Sequence, residues 1–238
     1  MKKGKLLLIP VPLGEGAIEN SLVPGLQAAI AEMDEFIVEN GKTARRFLKQ
    51  MGIRTPMNEL RLHVYDKHSD NAAIDDYLKP VLQGKDVGLL SEAGCPAVAD
   101  PGALIVRRAH EKNIRVVPYV GPSSIILSLM ASGFNGQQFA FQGYLPIPRP
   151  ERIRKIQELE RASRKLRQTQ IFIETPFRNN QLLEDLLGAC HATASLSISC
   201  DLTTDTEFIA TRRIAEWKSQ PHPDLHKRPA VFLLYAGD

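Results

Sequence analysis

Leu89-Leu90-Ser91-Glu92-Ala93-Gly94-Cys95-Pro96-Ala97-Val98-Ala99-Asp100-Pro101-Gly102 is the stretch on which the fold turns. An apolar run over 87–90 enters a loop of small side chains with two glycines and two prolines. A helical pattern over 104–111 and a second apolar run over 116–118 follow. Strand, loop, helix and strand in that order form the repeating unit of a parallel sheet. The loop is longer than a plain connection needs. Ligands of open α/β sheets bind outside the carboxyl ends of the strands, where small residues let them approach the backbone.

The same alternation extends upstream and downstream. Strands are predicted at 6–9, 36–38, 60–65, 87–90 and 116–118, and helices at 22–33, 44–51, 71–82, 104–111 and 124–131. In the first helix Leu22, Leu26, Ala29, Ile30 and Met33 share one face at three- and four-residue steps. Ser21 is placed as its N-cap, with Pro24 in the first turn. Gly52, Gly84 and Gly133 sit where helices end in a left-handed residue. These features predict an α/β fold whose first domain has a mostly parallel sheet covered on both faces.

Tyr144-Leu145-Pro146-Ile147-Pro148-Arg149-Pro150 breaks the pattern, because proline fixes φ and restrains its predecessor. An extended boundary segment is expected here, giving domains 1–146 and 147–238. The second half reads as a polar helix (151–167), strand (170–174), helix (180–189), strands (196–200 and 207–212), helix (214–218) and strand (230–235). Its close strand spacing predicts antiparallel pairs in a mixed sheet.

Composition narrows the class. Of 238 residues 43% are hydrophobic and 24% charged, which excludes bulk disorder. Thirty basic and 27 acidic residues give a net charge of +3, which permits a polyanionic partner without demanding one. Cys95, Cys190 and Cys200 form no C-x-x-C pair and no zinc spacing, so neither a disulfide framework nor a metal is expected. The basic start Met1-Lys2-Lys3-Gly4-Lys5 precedes an apolar run that ends at Pro10, too short for a signal peptide. A cytoplasmic protein without membrane spans is expected.

Further segments carry chemistry. Pro10-Val11-Pro12-Leu13-Gly14-Glu15-Gly16 follows the first strand, but Glu19 replaces the third glycine of a dinucleotide fingerprint and the prolines remove donors. It reads equally as a structural turn or as part of a ligand cleft. The paired hydroxyls of Ser123 and Ser124 can cap a helix or bind a carboxylate. Glu39, His63, Asp66 and His68 lie at or after strand ends as candidate bases, with Glu39 on the carboxyl side. Residues 149–167 hold eight basic and three acidic residues, net +5. Such a helix is either a solvated face or a grip for RNA phosphates. It has no aromatics on which bases could stack.

The block Ser91-Glu92-Ala93-Gly94-Cys95-Pro96, then Asp100-Pro101-Gly102, Gly121-Pro122-Ser123-Ser124 and Phe139-Ala140-Phe141-Gln142-Gly143-Tyr144-Leu145-Pro146 resembles the tetrapyrrole methylase superfamily. It is most similar to the branch of ribosomal RNA small subunit methyltransferases I, and the likeness continues through Ile173-Glu174-Thr175-Pro176-Phe177-Arg178. The resemblance implies two α/β domains, usually paired as a homodimer, with S-adenosylmethionine held folded between them. It implies cofactor contacts from Pro12, Leu13, Glu92, Ala93, Gly94, Val98, Ser123, Ser124, Ile173, Glu174, Pro229 and Ala230, without a metal. A ribose 2′-hydroxyl of ribosomal RNA is the implied acceptor, with Glu39 as candidate base. A tetrapyrrole or other small molecule, or a catalytically idle binding role, are the alternatives. Departures from the branch pattern are Glu39-Asn40-Gly41-Lys42 for Glu-Asp-Thr-Arg, Cys200-Asp201-Leu202-Thr203-Thr204 for Arg-Glu-Leu-Thr-Lys, and Ile147-Pro148-Arg149-Pro150 for a lysine-rich loop.

Overall fold

The computed structural model describes residues 2–14, 18–66 and 68–237, without the side chains at 19 and 20. The expectation attached to Gly16 lies outside the described residues. The chain divides into two units, Met1–Ser123 and Ser124–Asp238.

The first unit is built on five parallel strands, β1 (Lys5–Ile9), β2 (Glu35–Val38), β3 (Arg61–Val64), β4 (Val87–Leu90) and β5 (Arg115–Pro118), in the order β3-β2-β4-β1-β5. Its inner strands are short apolar runs because both faces are covered. Leu7, Ile9, Phe36, Val38 and Leu90 pack on one face under α2 (Pro24–Ile30) and α3 (Gly41–Gln50), the latter two following the short α1 (Ile18–Ser21). Leu6, Ile37, Val87 and Leu89 pack on the other face under α4 (Ile74–Tyr77), α5 (Lys79–Leu82) and α6 (Gly102–Glu111). Gly88 is required inside β4, since a Cβ there would lie 2.5 Å from Phe36 and 2.7 Å from Ile9. The chain leaving β1 crosses one face and the chain leaving the adjacent β4 crosses the other. Their carboxyl ends therefore form a topological switch point.

The second unit has a mixed sheet in the order β6-β7-β10-β8-β9. Its elements are α7 (Ser124–Ser132), β6 (Phe139–Tyr144), α8 (Arg149–Leu166), β7 (Thr169–Ile173), α9 (Asn179–Ala189), β8 (Ser195–Cys200), β9 (Phe208–Arg213), α10 (Ile214–Ser219) and β10 (Ala230–Tyr235). Only β6 and β7 pair in parallel; the remaining pairs are antiparallel. Phe232 and Leu234 face a core shared with α8, α9 and Trp217, while Val231 and Leu233 face Leu129 of α7.

The division between the two units falls after Ser123: β6 hydrogen-bonds to β7 and α7 packs on the second sheet. Three expectations of local structure are corrected. Tyr144 ends a strand and Arg149-Pro150 open α8, proline being well tolerated in a first helical turn, so only the middle of the proline-rich stretch is extended. The helix expected over 22–33 is two helices; Ser21 closes the first, and Val23 precedes Pro24 at the start of the second. The segment 71–82 is a 3₁₀ turn (Asn71–Ala73) followed by α4 and α5, interrupted ahead of Pro80. Gly52, Gly84 and Gly133 do adopt positive φ after their helices.

Candidate functional site

Three loops at the carboxyl ends of β4, β1 and β5 are locked together. Val11 and Gly94 exchange both backbone hydrogen bonds at 3.0 Å. The Cys95 thiol points to the carbonyls of Gly121 (3.8 Å) and Pro122 (3.3 Å). Gly121 packs so closely on Pro10 that a Cβ would lie 2.2 Å from the ring. Gly94 has φ +73°, and a Cβ there would lie 3.2 Å from Leu13. Pro12 and Leu13 lie on the β1 loop and Glu92, Ala93, Gly94 and Val98 on the β4 loop, and the two loops are in direct contact.

The β4 loop is held in an unusual conformation. Ala97 (φ +67°) and Ala99 (φ +60°) are left-handed although neither is glycine. Each costs about 1–2 kcal/mol relative to an ordinary backbone. Asp100 braces the first of them and the start of α6: its Oδ1 accepts from the amides of Ala97 (2.8 Å) and Gly102 (2.7 Å). Val98 is half exposed on this loop despite being apolar. Strain of this kind concentrates at ligand sites.

Carboxylates gather beside the loop. Glu39 follows β2 and accepts from the Glu92 amide at 3.2 Å. Its carboxyl is pushed above the usual range, first by burial and then by the charges of Asp100, Glu92 and Asp66, against the pull of the Glu92 amide. Burial likewise raises Asp100, over its two amide bonds. The Thr43 hydroxyl lies 2.6 Å from Glu92 Oε1 and joins α3 to the loop. Asn40 caps α3 through the amides of Lys42 (2.8 Å) and Thr43 (3.4 Å), so the change from the branch's aspartate leaves the cap in place without its charge. A cavity of about 1020 Å³ opens between α2 and α3, lined among others by Pro12, Leu13, Ser91, Glu92, Thr43 and Arg46.

His63 does not join this site. Its Nε2 lies 2.9 Å from Glu35 Oε1, and its ring packs at a tilt of 31° against Tyr77, with centroids 4.9 Å apart. Lys85 bridges Asp34 and Glu35, each at 2.8 Å. Burial works to raise Glu35, but Lys85 and His63 outweigh it and hold the carboxyl low. Asp66 turns inward on its own loop, accepting from the His68 amide and Ser69 hydroxyl, and its carboxyl is held low by them.

In the second unit, the candidate residues meet at one edge of the sheet. Ile173 pairs with Val231, and Ala230 with Cys200, so antiparallel geometry puts Glu174 and Pro229 at neighbouring strand ends. Glu174 is buried; its Oε1 accepts from the Thr175 amide and from Arg178, each at 2.6 Å, and its Oε2 has no partner. The Pro229 carbonyl accepts from Asp201, whose carboxylate holds Arg228 at 2.7 Å. Thus Asp201, at a departure from the branch pattern, is engaged in a structural ion pair. Ser123 ends the first unit and Ser124 opens α7 in the second, both half-buried.

The basic helix is less free than its composition suggests. Arg152 is fully buried and pairs with Asp185 at 2.6 Å, and Arg149 shares that carboxylate at 2.8 Å. Arg152 also donates to the Ile147 carbonyl at 2.6 Å, pinning the proline-rich turn. Lys155 pairs with Glu158, and Arg164 with Glu160. No signal in the sequence separated the buried arginine from its exposed neighbours except its spacing with Ile156, Leu159 and Ser163.

The first-unit loops fit a sulfonium nucleoside. Between Ser91 and Gly102 there is no lysine or arginine to repel the cation, small residues expose the backbone, and carboxylates flank the loop. Among the described residues no group of histidine, cysteine and acidic side chains is arranged to hold a metal.

The comparisons agree with this construction. No family model matches the chain. It is 28% identical over 231 residues to a ribosomal RNA small subunit methyltransferase I from Xylella fastidiosa, covering 97% of this chain and 80% of that one. Identity to the protein of the same name from Vibrio cholerae is 29% over 236 residues, covering 98% and 77%. Among solved structures, the methyltransferase CobJ superposes with a TM-score of 0.63 at 17% identity, covering 98% of this chain and 99% of that chain. The cobalt precorrin-4 methyltransferase CbiF gives 0.62 at 12%, covering 98% and 96%. The fold is the one these solved tetrapyrrole methyltransferases have, and the chain is an S-adenosylmethionine-dependent methyltransferase. Along nearly its whole length the chain is similar to proteins named ribosomal RNA small subunit methyltransferase I.

Proposed function

We propose that this protein methylates a ribose 2′-hydroxyl of small-subunit ribosomal RNA, acting in the cytoplasm as a homodimer. The observation that carries this reading is similarity along nearly the whole chain to proteins named for that RNA, at 28–29% identity. The solved tetrapyrrole methyltransferases share the fold at lower identity, which makes a tetrapyrrole acceptor the less favoured reading.

S-adenosylmethionine supplies an electrophilic methyl carbon on a positively charged sulfur. Pro12, Leu13, Gly94 and Val98 offer apolar and backbone surface to it; Glu92 adds a carboxylate on the sulfonium side. Ser123, Ser124, Ile173, Glu174, Pro229 and Ala230 are assigned the remaining contacts from the resemblance. Glu39 would accept the acceptor hydroxyl's proton, and the bound methyl donor would supply the carbon to which that oxygen bonds and the sulfur that leaves with the electron pair. The raised carboxyl of Glu39 makes it a stronger base than an ordinary glutamate. Alignment of the acceptor and exclusion of water supply the rest of the rate.

The test is transfer of labelled methyl from S-adenosylmethionine to small ribosomal subunits, with mapping of the labelled nucleotide. Labelling of a ribose oxygen is expected. Labelling of a small metabolite and not RNA would establish the tetrapyrrole-type reading, and no transfer to either would favour the idle one.

A further inference from the structure

The cations of α3 stand in a different relation to their surroundings from those of α8. Lys42, Arg45, Arg46 and Lys49 recur at steps of three and four, which places them along one side of the helix. Ala44, Phe47 and Leu48 fill the opposite side and are buried. The helix contains no acidic residue. Like charges at these spacings repel one another, and a merely solvated face would be interleaved with acids, as α8 is at Glu158 and Glu160. Lys42, Arg45 and Lys49 are exposed and make no ion pair among the described residues; Arg45 donates only to the Gly41 carbonyl.

Two further observations tie this face to the candidate site. The helix begins with Asn40, whose side-chain oxygen caps the amides of Lys42 and Thr43 without neutralising the positive end of the helix dipole. Thr43 is hydrogen-bonded to Glu92, and Arg46 lines the cavity that Pro12, Leu13 and Glu92 also line. The cationic row therefore runs away from the loop proposed to carry the methyl donor. Glu39 and Glu92 lie at its near end and would repel a phosphate there, so the anion-binding stretch is the row itself.

We propose that α3 is a phosphate rail, on which the sugar-phosphate backbone of the RNA substrate lies along Lys42, Arg45 and Lys49 while the acceptor ribose reaches the carboxyl edge of the sheet. This rests on the RNA reading above and names where that RNA is held. A helix rises 1.5 Å per residue, so the row is about 10 Å long and can meet successive phosphates of one strand. Phosphate contacts fix position and register rather than sequence.

The test is equilibrium binding of a labelled single-stranded RNA to the full-length protein across a salt series. Each phosphate contact to a single strand contributes about 0.7 to the slope of log affinity against log salt. The variant K42Q/R45Q/K49Q is expected to lower that slope by about 2 and to weaken binding tenfold or more. S-adenosylmethionine binding by calorimetry and the thermal midpoint should stay as in the parent. K42R/K49R should retain the slope, and R154Q/R161Q/K165Q on α8 should change it little. An unchanged slope in the α3 variant, with loss in the α8 variant, would overturn the rail while leaving RNA methylation intact. A parent protein that binds the methyl donor but no RNA would overturn the substrate reading and the rail together.

Discussion

Thr43 and Glu92 lie 49 positions apart in sequence, yet the threonine hydroxyl and the glutamate Oε1 are 2.6 Å apart. The bond couples the first turn of α3 to the strained loop after β4. Replacing Thr43 with valine keeps the shape and removes the donor. A charge-assisted hydrogen bond contributes about 1.5–3 kcal/mol when shielded, and less where solvent competes. We expect T43V to weaken S-adenosylmethionine binding three- to tenfold by calorimetry, with T43S restoring it.

Glu39 should govern the pH profile. Because its carboxyl is raised, it stays protonated and idle to higher pH than an ordinary glutamate. The methyl-transfer rate should climb with pH through that raised value and then level off. E39Q should lower kcat by about 10²–10⁴, the range for loss of a general base, with donor affinity nearly unchanged. An E39Q enzyme of normal rate would remove Glu39 from the mechanism.

The left-handed residues of the β4 loop predict opposite outcomes for opposite substitutions. G94A places a side chain at φ +73° against Leu13 and should cost about 1–2 kcal/mol. A97G relieves a position at φ +67° but adds freedom to the unfolded chain worth about 0.4–1 kcal/mol. Its net effect should be neutral or slightly stabilising. Urea unfolding of the two variants checks the difference in sign.

Glu35 predicts acid sensitivity. Its carboxyl is lower in the folded protein than in the unfolded chain, so its contribution is complete above the unfolded value near 4.5 and disappears as pH falls through the lower folded value. E35Q should therefore flatten the loss of stability below pH ~4.5. K85M removes one partner of this buried group and should cost about 1–3 kcal/mol at neutral pH. Denaturant titrations at neutral and acidic pH measure both effects.

The buried pair of Arg152 and Asp185 separates packing from surface charge on α8. R152M leaves Asp185 inside with Arg149 alone and should cost about 3–5 kcal/mol. R149Q, at the exposed end of the same carboxylate, should cost no more than about 1 kcal/mol. Thermal denaturation distinguishes them.

Strand and helix order was legible because each apolar run of the first unit is bounded by a glycine, a proline or a cap. The loop after β4 stands out in the sequence because it is longer than a plain connection needs. Proline density marks stiffness, whereas membership of a compact unit depends on which strand β6 pairs with, and that partner lies beyond α8. A charge count over 149–167 does not distinguish Arg152 from its exposed neighbours, because it ignores which way each side chain faces. The burial of Arg152 follows from its four-residue step to Ile156 and from Asp185 on another helix. Thr43 was missed because its partner is distant in sequence. The cationic row of α3 could be seen in Lys42, Arg45, Arg46 and Lys49, but its meaning required knowing that Glu92 lies beside its first turn.

The sheet order has a bearing on how the first unit comes to exist. β1 lies between β4 and β5, Leu6 pairing with Val87 and Lys5 with Arg115. The first strand of this unit thus waits, with its amides and carbonyls unmatched, until nearly all of its unit has been made. Such distant pairing makes assembly slow, since the entropy of closing a long loop comes before the contacts that reward it. The β8–β9 hairpin of the second unit can zip locally. The interlocked loops at the carboxyl ends of β1, β4 and β5 can take shape only after β5 has docked.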